Sequence, residues 1–519
     1  MYLNTKQGFN NFKKIVSSDL YVDKSMILDI LNKRVNKDNC YICITRPRRF
    51  GKSEITNLIE SYYSTAIDSK KFFDKLEISK TANYLKHLNK YNVIKIDFSE
   101  LDEDNSYNGY IGRIKSYLVK GLEQNYQNID FNSYRTISDK FTATGDRFIF
   151  IFDEWDFIFN KGLYIEQQEE FLDFLRNLLK GKAYVSLCYM TGILPIKLHS
   201  TGSALNIFEE YTFINDGVFS KYFGFTESEV MELCKQNDGI SYEEVAHWYN
   251  GYTTKDGIRI LNPRSVKIAL INNDAQSYWT STGAMDEVLE YLKLDATGSI
   301  VNDVIKMINN ETIFINILRE FRAGSKVPTN KDEIYAAMIT WGFLSYYNEE
   351  LRIPNRELMI EFELALKDNT FGELSKIIKN ADEMLRATLN RDAKKVAKIV
   401  HDIHNSEIPI LKYTDENSTS CVLTLAYLSA RNKYRIEREE KSGKGFVDFV
   451  FHPRNSVDIP IVVELKRNSS TKMALKQVME REYVNKYMQI YKRDVLVVAI
   501  NYSDKKKSHT CAIVNVEFN

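Results

Sequence analysis

The chain has 519 residues, 44% of them hydrophobic and 27% charged, and its 70 basic residues balance its 70 acidic ones. That length is too great for one hydrophobic core, so we expect about two to four domains. A net charge of zero excludes a uniformly basic nucleic-acid coat, although one basic domain can still stand beside an acidic one. No apolar run reaches the roughly 18 to 20 residues that cross a bilayer, and the N-terminus shows no secretory signal. We therefore expect a cytoplasmic protein with no membrane partner.

The first chemical signal is a strand, loop and helix pattern near the N-terminus. The apolar run CYICIT at 40–45 leads into RPRRFGKS at 46–53, and apolar residues at helical spacing follow. This is the context of a Walker A loop, in which backbone N–H groups at a helix N-terminus surround the phosphates of a nucleotide. Lys52 is expected to contact the β- and γ-phosphates, Ser53 to ligate Mg²⁺, and Gly51 to let the backbone approach the anion.

The loop departs from the strict pattern, because Arg46 stands where its leading glycine belongs. The alternative is a Gly-Lys pair at an ordinary helix start. A second feature favours the phosphate loop: the apolar run FIFIF at 148–152 is followed by Asp153 and Glu154. Such a strand is typical of a parallel α/β sheet, whose C-terminal edge binds ligands. We expect Asp153 to hold Mg²⁺ and Glu154 to polarise the attacking water.

Four further residues complete the candidate cofactor-binding set. The apolar strand pattern AYVSLCYM at 183–190 ends at Thr191. If that strand neighbours the one carrying Asp153, Thr191 is placed to sense the γ-phosphate; the alternative is a plain turn residue. In the loop, Arg48 and Arg49 either bind phosphate or only shape the backbone, and Phe50 stands beside them.

Together these motifs resemble a known family. TRPRRFGKS, FIFDEWD and MTGILPIK, with YVDKS upstream and YFGFTESEV, WYNGY and NPRSV downstream, resemble the bacterial and archaeal AAA-ATPase-like family over roughly the first 290 residues. In that family Arg-Pro-Arg-Arg stands where other phosphate loops carry glycine, so Arg46 ceases to be an objection. The resemblance implies that the nucleotide is ATP, that the segment 21–24 lies near the adenine, and that a helical lid carries Arg264 as a candidate sensor arginine.

A second chemical signal lies in two consecutive strand patterns near the C-terminus. GFVDFVF at 445–451 places Asp448 in one strand, and IPIVVELK at 459–466 places Glu464 and Lys466 on one face of the next. Two carboxylates from adjacent strands, with the Leu465 carbonyl, form an oxygen-rich site suited to Mg²⁺, with Mn²⁺ as an alternative. The metal would activate a water and offset charge on a phosphodiester, and Lys466 would orient that water or stabilise the developing charge. The alternative is an exposed, salt-bridged strand edge.

This constellation resembles the PD-(D/E)xK nuclease superfamily over roughly residues 406–519. The resemblance implies that Glu416 supplies a helical acid to the metal and that Gln477, in a following helix, lies near it. The turn GKGFVD at 443–448 departs from the usual Gly-Arg-Gly-Arg-x-Asp, which weakens the expected grip on phosphate, although Lys444 can replace one arginine.

The predicted fold class is α/β in both chemical regions, with helices between them. We predict a P-loop AAA-like ATPase domain at 1–225, a helical lid at 226–290, a helical connector at 291–405 and a nuclease-like domain at 406–519. The connector contains helical patterns such as DEIYAAMITWGFLSYY at 332–347. Near its end, His401 and His404 are expected to be a solvent-facing pair rather than a metal site.

The leading functional hypothesis is that ATP binding or hydrolysis controls a metal-dependent nuclease. The partner is then nucleic acid, and we expect DNA rather than RNA. About five more basic than acidic residues in 406–519 give a modest field that favours the phosphate backbone of either. Defence against foreign nucleic acid fits the resemblance. One alternative is an ATP-switched regulator whose nuclease fold is catalytically silent and only binds nucleic acid or a partner. Another is an ATP-driven remodelling machine, for which a homo-oligomer would be the expected assembly.

Overall fold

The structure is a computed structural model of the chain. It describes residues 2–103, 106–196, 205–237, 239–278, 284–295, 298–308, 311–317, 320–325, 327–405, 422–442, 445–480 and 483–518. The chain forms two compact units. The first is Met1–Ala284 with Glu290–Ile300 and Thr312–Met359, and the second is Met285–Leu289 with Val301–Glu311 and Ile360–Asn519. In the described part of the chain, no helix is long and apolar enough to span a membrane.

A five-stranded parallel sheet forms the centre of the first unit. In chain order its strands are β1 (Tyr41–Thr45), β2 (Asn92–Asp97), β3 (Phe148–Asp153), β4 (Val185–Gly192) and β5 (Glu209–Tyr211). They are hydrogen-bonded in the order β2-β3-β4-β1-β5, and all four pairings are parallel. Every residue of β3 and β4 is buried, as expected for strands that have helices on both faces of the sheet. The order places β4 between the strand that precedes the phosphate loop and the strand that ends at Asp153.

Helices of very different lengths cover this sheet. They are α1 (Gln7–Val16), α2 (Ile27–Asn32), α3 (Lys52–Tyr63), α4 (Lys70–Phe73), α5 (Tyr84–His87), α6 (Tyr107–Asn125), α7 (Ile137–Ala143), α8 (Phe157–Asn160) and α9 (Gln168–Leu179). Helix α3 follows β1 directly, so its N-terminus lies at the C-terminal edge of the sheet. Ten of its twelve residues are buried, because it packs against both α1 and β3.

The region predicted to be a helical lid contains helices joined by a small antiparallel sheet. Its elements are β6 (Phe225–Thr226), α10 (Glu227–Gln236), α11 (Tyr242–Tyr249), β7 (Asn250–Thr253), β8 (Arg259–Leu261) and α12 (Pro263–Asn272). Sequence signals explain where two of these helices begin. Thr226 and Glu229 form a capping box at the start of α10, and Asn262 caps α12 ahead of a proline at the first helical position.

The connector is mostly helical but also contains a three-stranded sheet. Helix α13 (Ala284–Lys293) runs from the predicted lid into the predicted connector. The other elements of the connector are α14 (Ser299–Ile308), β9 (Ile313–Phe314), α15 (Lys331–Trp341), β10 (Ser345–Tyr347), β11 (Glu350–Arg352), α16 (Arg356–Ala365), α17 (Glu373–Lys379), α18 (Ala381–Leu389) and α19 (Ala393–His404). The helical pattern at 332–347 stops earlier than predicted. Gly342 takes a left-handed conformation with φ +81°, which ends α15 at Trp341 and turns the chain into β10.

The C-terminal part of the second unit is a mixed five-stranded sheet with two helices. The elements are β12 (Tyr434–Ser442), β13 (Gly445–Pro453), β14 (Ile461–Arg467), α20 (Thr471–Glu480), α21 (Tyr483–Tyr491), β15 (Val495–Ser503) and β16 (Ser508–Val516). The strands follow one another in chain order across the sheet, and β14 with β15 is the parallel pair. A parallel sheet with helices in the first unit and a mixed sheet with helices in the second confirm the predicted α/β fold class.

Candidate functional site

The phosphate loop connects β1 to α3 and ends at Gly51. Gly51 is the N-cap of α3 with φ +85°, and an added Cβ there would meet nothing within 4 Å. Backbone conformation, and not lack of space, therefore requires a glycine at this position. Arg49 has φ +72° as well, so the loop turns sharply before the helix begins. No side chain caps the start of α3 among the described residues, so its first N–H groups are oriented as in helix N-termini that bind anions.

Lys52 is buried at the first position of α3. Only 5% of it is exposed, and its ammonium donates hydrogen bonds to the carbonyls of Arg46 and Pro47, each at 3.1 Å. Burial lowers the pKa of Lys52, while the charges of Glu154 and Asp156 act in the opposite direction. The lysine thus lies within the loop that it would serve, close to the acidic end of β3.

Arg46, at the position of the missing glycine, holds the base of the loop in place. Its guanidinium is 1% exposed and donates to the carbonyls of Thr45 at 2.7 Å and of Tyr211 and Thr212 at 2.9 Å each. It also packs over the ring of Phe223, 5.0 Å from the ring centroid. Burial lowers its pKa to about 10. In this chain, therefore, an arginine side chain fills a place that other phosphate loops leave to glycine.

Phe50 and the two neighbouring arginines contact other parts of the same unit. The Phe50 ring is fully buried and packs edge-on against Tyr252, so only its backbone can approach a ligand. Arg48 lies over the ring of Trp341, 5.1 Å from its centroid. Arg49 donates a long hydrogen bond of 3.5 Å to the carbonyl of Tyr278. These contacts support the alternative that Arg48 and Arg49 shape the loop. A role for either arginine in binding phosphate stays a prediction.

The acids at the end of β3 face the start of α3. Asp153 is 3% exposed, and it accepts hydrogen bonds from Ser53 and, at 3.2 Å, from the Thr56 hydroxyl. Burial raises its pKa, and the bond from Ser53 lowers it. Glu154 has φ +51°, and its N–H donates to the Asp153 carboxylate at 3.1 Å. The hydroxyl and carboxylate predicted to hold Mg²⁺ are therefore adjacent.

Thr191 lies in β4 between the two strands of the predicted site. Its hydroxyl donates to the carbonyl of Ile44 in β1 at 2.9 Å, and the residue is fully buried. The condition set for a γ-phosphate sensor, that its strand neighbours β3, is met. The hydroxyl itself is directed to the backbone of β1.

The C-terminal site forms where β13 and β14 separate from their regular pairing. The ladder pairs Phe449 with Val463, and one position further on the Asp448 carboxylate accepts the N–H of Leu465 at 2.7 Å. Asp448 is thereby held against the backbone of β14. Leu465 lies opposite Ile500 in the parallel pairing of β14 with β15.

Glu464 is the buried centre of this second site. It is 2% exposed, and one carboxylate oxygen accepts from the Lys466 ammonium at 2.8 Å and from the Gln477 amide at 2.6 Å. A buried carboxylate is costly unless charge and hydrogen bonds compensate it. Lys466 and Gln477 supply that compensation from one face of β14 and from α20. The structure therefore brings together Asp448, Glu464, Lys466 and Gln477.

The fourth predicted metal ligand of this site, Glu416, lies outside the described residues. Within the described part of the chain, no cluster of three or more His, Cys, Asp or Glu side chains is arranged to hold a metal ion. The two carboxylates nevertheless fit Mg²⁺ chemically, since hard oxygen donors are the ligands it prefers and it commonly keeps several waters.

Comparison with known families gives two matches, one over each of the two candidate sites. Residues 6–201 match a family described as a predicted AAA-ATPase, and residues 415–510 match the PD-(D/E)XK nuclease superfamily. The chain joins an AAA-ATPase-like domain to a PD-(D/E)XK nuclease superfamily domain. No curated protein and no solved structure matches it.

The AAA-ATPase-like domain contains two acids that the sequence analysis did not single out. Asp156 is fully buried, and its carboxylate accepts the N–H groups of Ile193 at 3.0 Å and Leu194 at 2.7 Å. Burial raises its pKa to about 6. Asp97 ends β2 directly opposite Asp153. The signal for both was present, since each acid ends or closely follows an apolar strand.

The structure corrects the prediction that His401 and His404 are a solvent-facing pair. His404 does not face solvent: it is 8% exposed, and its Nδ1 lies 3.2 Å from Nε2 of His509, which is also 8% exposed. Burial lowers the pKa of both imidazoles, that of His509 to about 3. The pair joins α19 to β16. A partner 105 residues away in sequence is not visible in the i, i+3 spacing from which the prediction was made.

Proposed function

We propose that the AAA-ATPase-like domain binds and hydrolyses ATP. The adjacency of Lys52, Ser53 and Asp153 at the C-terminal edge of the parallel sheet supports this reading. Lys52 would turn from the loop carbonyls to the β- and γ-phosphates, while Ser53 and Asp153 hold Mg²⁺. Glu154 would polarise the attacking water. When bound, the metal offsets charge on the phosphates, and the protein residues position the reactants around it.

The second activity that we propose is phosphodiester cleavage of nucleic acid by the PD-(D/E)XK domain, with DNA favoured over RNA. The convergence of Lys466 and Gln477 on the buried Glu464, beside Asp448, is the observation that carries this proposal. Asp448 and Glu464 would bind Mg²⁺ or Mn²⁺, with the Leu465 carbonyl and Glu416 completing the ligand set. When bound, the metal activates a water and neutralises phosphate charge. Lys466 would hold the attacking water in line and stabilise the charge that develops.

ATP would control this cleavage, because one chain carries both domains. Defence against foreign nucleic acid is the setting in which such control is most useful, since an unregulated nuclease endangers its own cell.

Glu464→Gln tests the nuclease proposal most sharply. The amide keeps the size of the side chain but removes the charge that a metal requires. Cleavage should therefore fall by more than the about 10- to 100-fold that loss of a partner of a metal ligand typically costs. The measurement is cleavage of a mixed set of single- and double-stranded DNA and RNA with Mg²⁺ or Mn²⁺, with and without ATP. ATP hydrolysis should be unchanged.

Glu437→Gln is the matched control. Glu437 lies in β12 of the same sheet and interacts with Arg435 and His452 instead of the proposed site. That variant should cleave like wild type. Retention of cleavage by Glu464→Gln would contradict the proposed metal site. No cleavage of any substrate by the wild type, with ATP still hydrolysed, would favour the silent regulator, whose nuclease fold only binds.

A further inference from the structure

The end of the connector helix α15 lies directly against the phosphate loop, within one compact unit. Gly342, which ends the helix, is so close to Pro47 that an added Cβ would lie 2.6 Å from the proline Cβ. Both residues are buried. Gly342 therefore satisfies two demands at once: a φ of +81° and the absence of a side chain where the loop backbone passes.

Trp341, one residue earlier, contacts the loop by its aromatic face. The Arg48 guanidinium lies 5.1 Å from the centroid of this ring, within the range of a cation–π interaction. Such stacking uses the face of the guanidinium, whereas phosphate is bound by N–H groups at its edge. Contact with Trp341 and binding of phosphate are therefore compatible, and the ring limits the positions that the Arg48 guanidinium can take.

The same helix end also contacts the lid. The carbonyl of Gly342 accepts a hydrogen bond of 2.6 Å from the hydroxyl of Tyr252, whose ring is fully buried. That ring packs edge-on against Phe50 of the phosphate loop with centroids 5.2 Å apart. Loop, lid and connector thus meet at Trp341 and Gly342.

A second segment of the connector, residues 322–323, makes hydrogen bonds to residues 195–196, which follow β4. The N–H of Ala323 donates to the carbonyl of Pro195 at 2.9 Å, and Arg322 donates to the carbonyl of Ile196 at 2.8 Å. Asp156 holds the preceding N–H groups of that segment. The connector is therefore in contact with two of the backbone segments that border the proposed nucleotide site.

We propose that Trp341 is a positioning residue that orients Arg48 toward the nucleotide phosphates, and that the Trp341–Gly342 contact transmits nucleotide occupancy to the connector. The inference rests on the proposed ATP site. Coupling of this kind is reciprocal: a residue that strengthens phosphate binding is itself held more firmly when phosphate binds. The connector would then respond to the triphosphate of the bound nucleotide, and the adenosine would contribute little to this response.

The test compares affinities for ATP and AMP by calorimetry in wild type, Arg48→Gln, Trp341→Leu and the double variant. Trp341→Leu should weaken ATP binding about tenfold, because a cation–π contact and its geometry are lost, and should leave AMP within about twofold. Arg48→Gln should show the same pattern, with weaker binding of ATP and nearly unchanged binding of AMP. The double variant should bind ATP no more weakly than Arg48→Gln alone, since Trp341 is proposed to act only through Arg48.

Two further variants separate positioning from folding. Trp341→Phe keeps an aromatic face and should restore ATP affinity to within about twofold of wild type. Phe314→Leu, at a residue 74% exposed in β9 of the connector, should change neither affinity. In tryptophan fluorescence, the change that ATP produces in wild type should be reduced in Trp341→Phe.

Each contrary result has its own meaning. Equal weakening of ATP and AMP, additive effects of the two substitutions, or wild-type ATP affinity in Trp341→Leu would overturn the positioning role while leaving the ATP site intact. Absence of ATP binding by the wild type would remove the proposed function and this inference with it.

Discussion

The most unusual residue of the phosphate loop is Arg46, a buried cation without a carboxylate in its hydrogen bonds. It donates to three backbone carbonyls, two of which belong to Tyr211 at the end of β5 and to Thr212 directly after it, 165 and 166 residues away. Unpaired buried carbonyls are costly, so this side chain joins the loop to the edge of the sheet. The Arg46 side chain thus links the loop to the buried core through hydrogen bonds that a glycine could not make.

Arg46→Gly, which restores the usual loop sequence, should therefore destabilise the protein. We expect the free energy of unfolding to fall by about 3 kcal/mol or more, from unsatisfied carbonyls and a cavity beside Phe223. Arg46→Met fills much of the same volume without donors and should recover only part of that loss. Urea denaturation measures both. Equal stability of wild type and Arg46→Gly would show that the loop needs no such support.

At the scale of elements, helix α19 contacts β16 through His404 and His509, and burial lowers the pKa of both imidazoles. His404 faces His509, with His401, Arg467 and Asp504 close enough to influence its charge. Protonation of either imidazole would place a cation in a poorly solvated contact. The attachment therefore depends on both rings staying neutral.

This pair predicts a dependence of stability on pH. The folded pKa of His509 is about 3, below its unfolded value, so its contribution is complete above about pH 6.5 and is lost as the pH falls toward 3. Between about pH 6 and 4, urea denaturation should show stability falling by up to ~1.4 kcal/mol per pH unit from this group. His509→Phe, which keeps the ring contact with Tyr502, should reduce that slope. His247→Gln, at an exposed lid position, should not, and an unchanged slope in His509→Phe would contradict the account.

Elements with a strong local pattern could be predicted from sequence, and contacts between distant segments could not. An apolar run ending in acids predicted β3, and alternation placed Glu464 and Lys466 on one face of β14, because both features depend on adjacent residues. The helix at 332–347 was predicted too long, since a glycine tolerated in a helical pattern can also end it. The hydrogen bonds of Arg46 to Tyr211 and Thr212, and the contact of His404 with His509, join residues far apart in sequence. Such tertiary contacts leave no periodic pattern in the local sequence.

At the scale of the whole molecule, two candidate sites lie in one chain of two compact units. Parallel strands in the AAA-ATPase-like domain gather Lys52 and Asp153 at one edge, and a mixed sheet in the PD-(D/E)XK domain gathers Asp448 and Glu464. The domain limits at 225, 290 and 405 stay a prediction, as do the catalytic and ligand roles of the site residues. The connector contacts the phosphate loop through the end of α15, and we propose it as the route by which ATP would control the nuclease.

The most direct test of this account is the rate of nucleic-acid cleavage, measured with and without ATP, for wild type and Lys52→Met. The methionine keeps most of the volume of the buried lysine and removes the cation that the phosphates require. We predict that ATP changes the wild-type rate and that Lys52→Met, with its nuclease residues untouched, cleaves at a rate that ATP does not alter. A wild-type rate that is the same with and without ATP, or an equal response in Lys52→Met, would contradict ATP control of the nuclease.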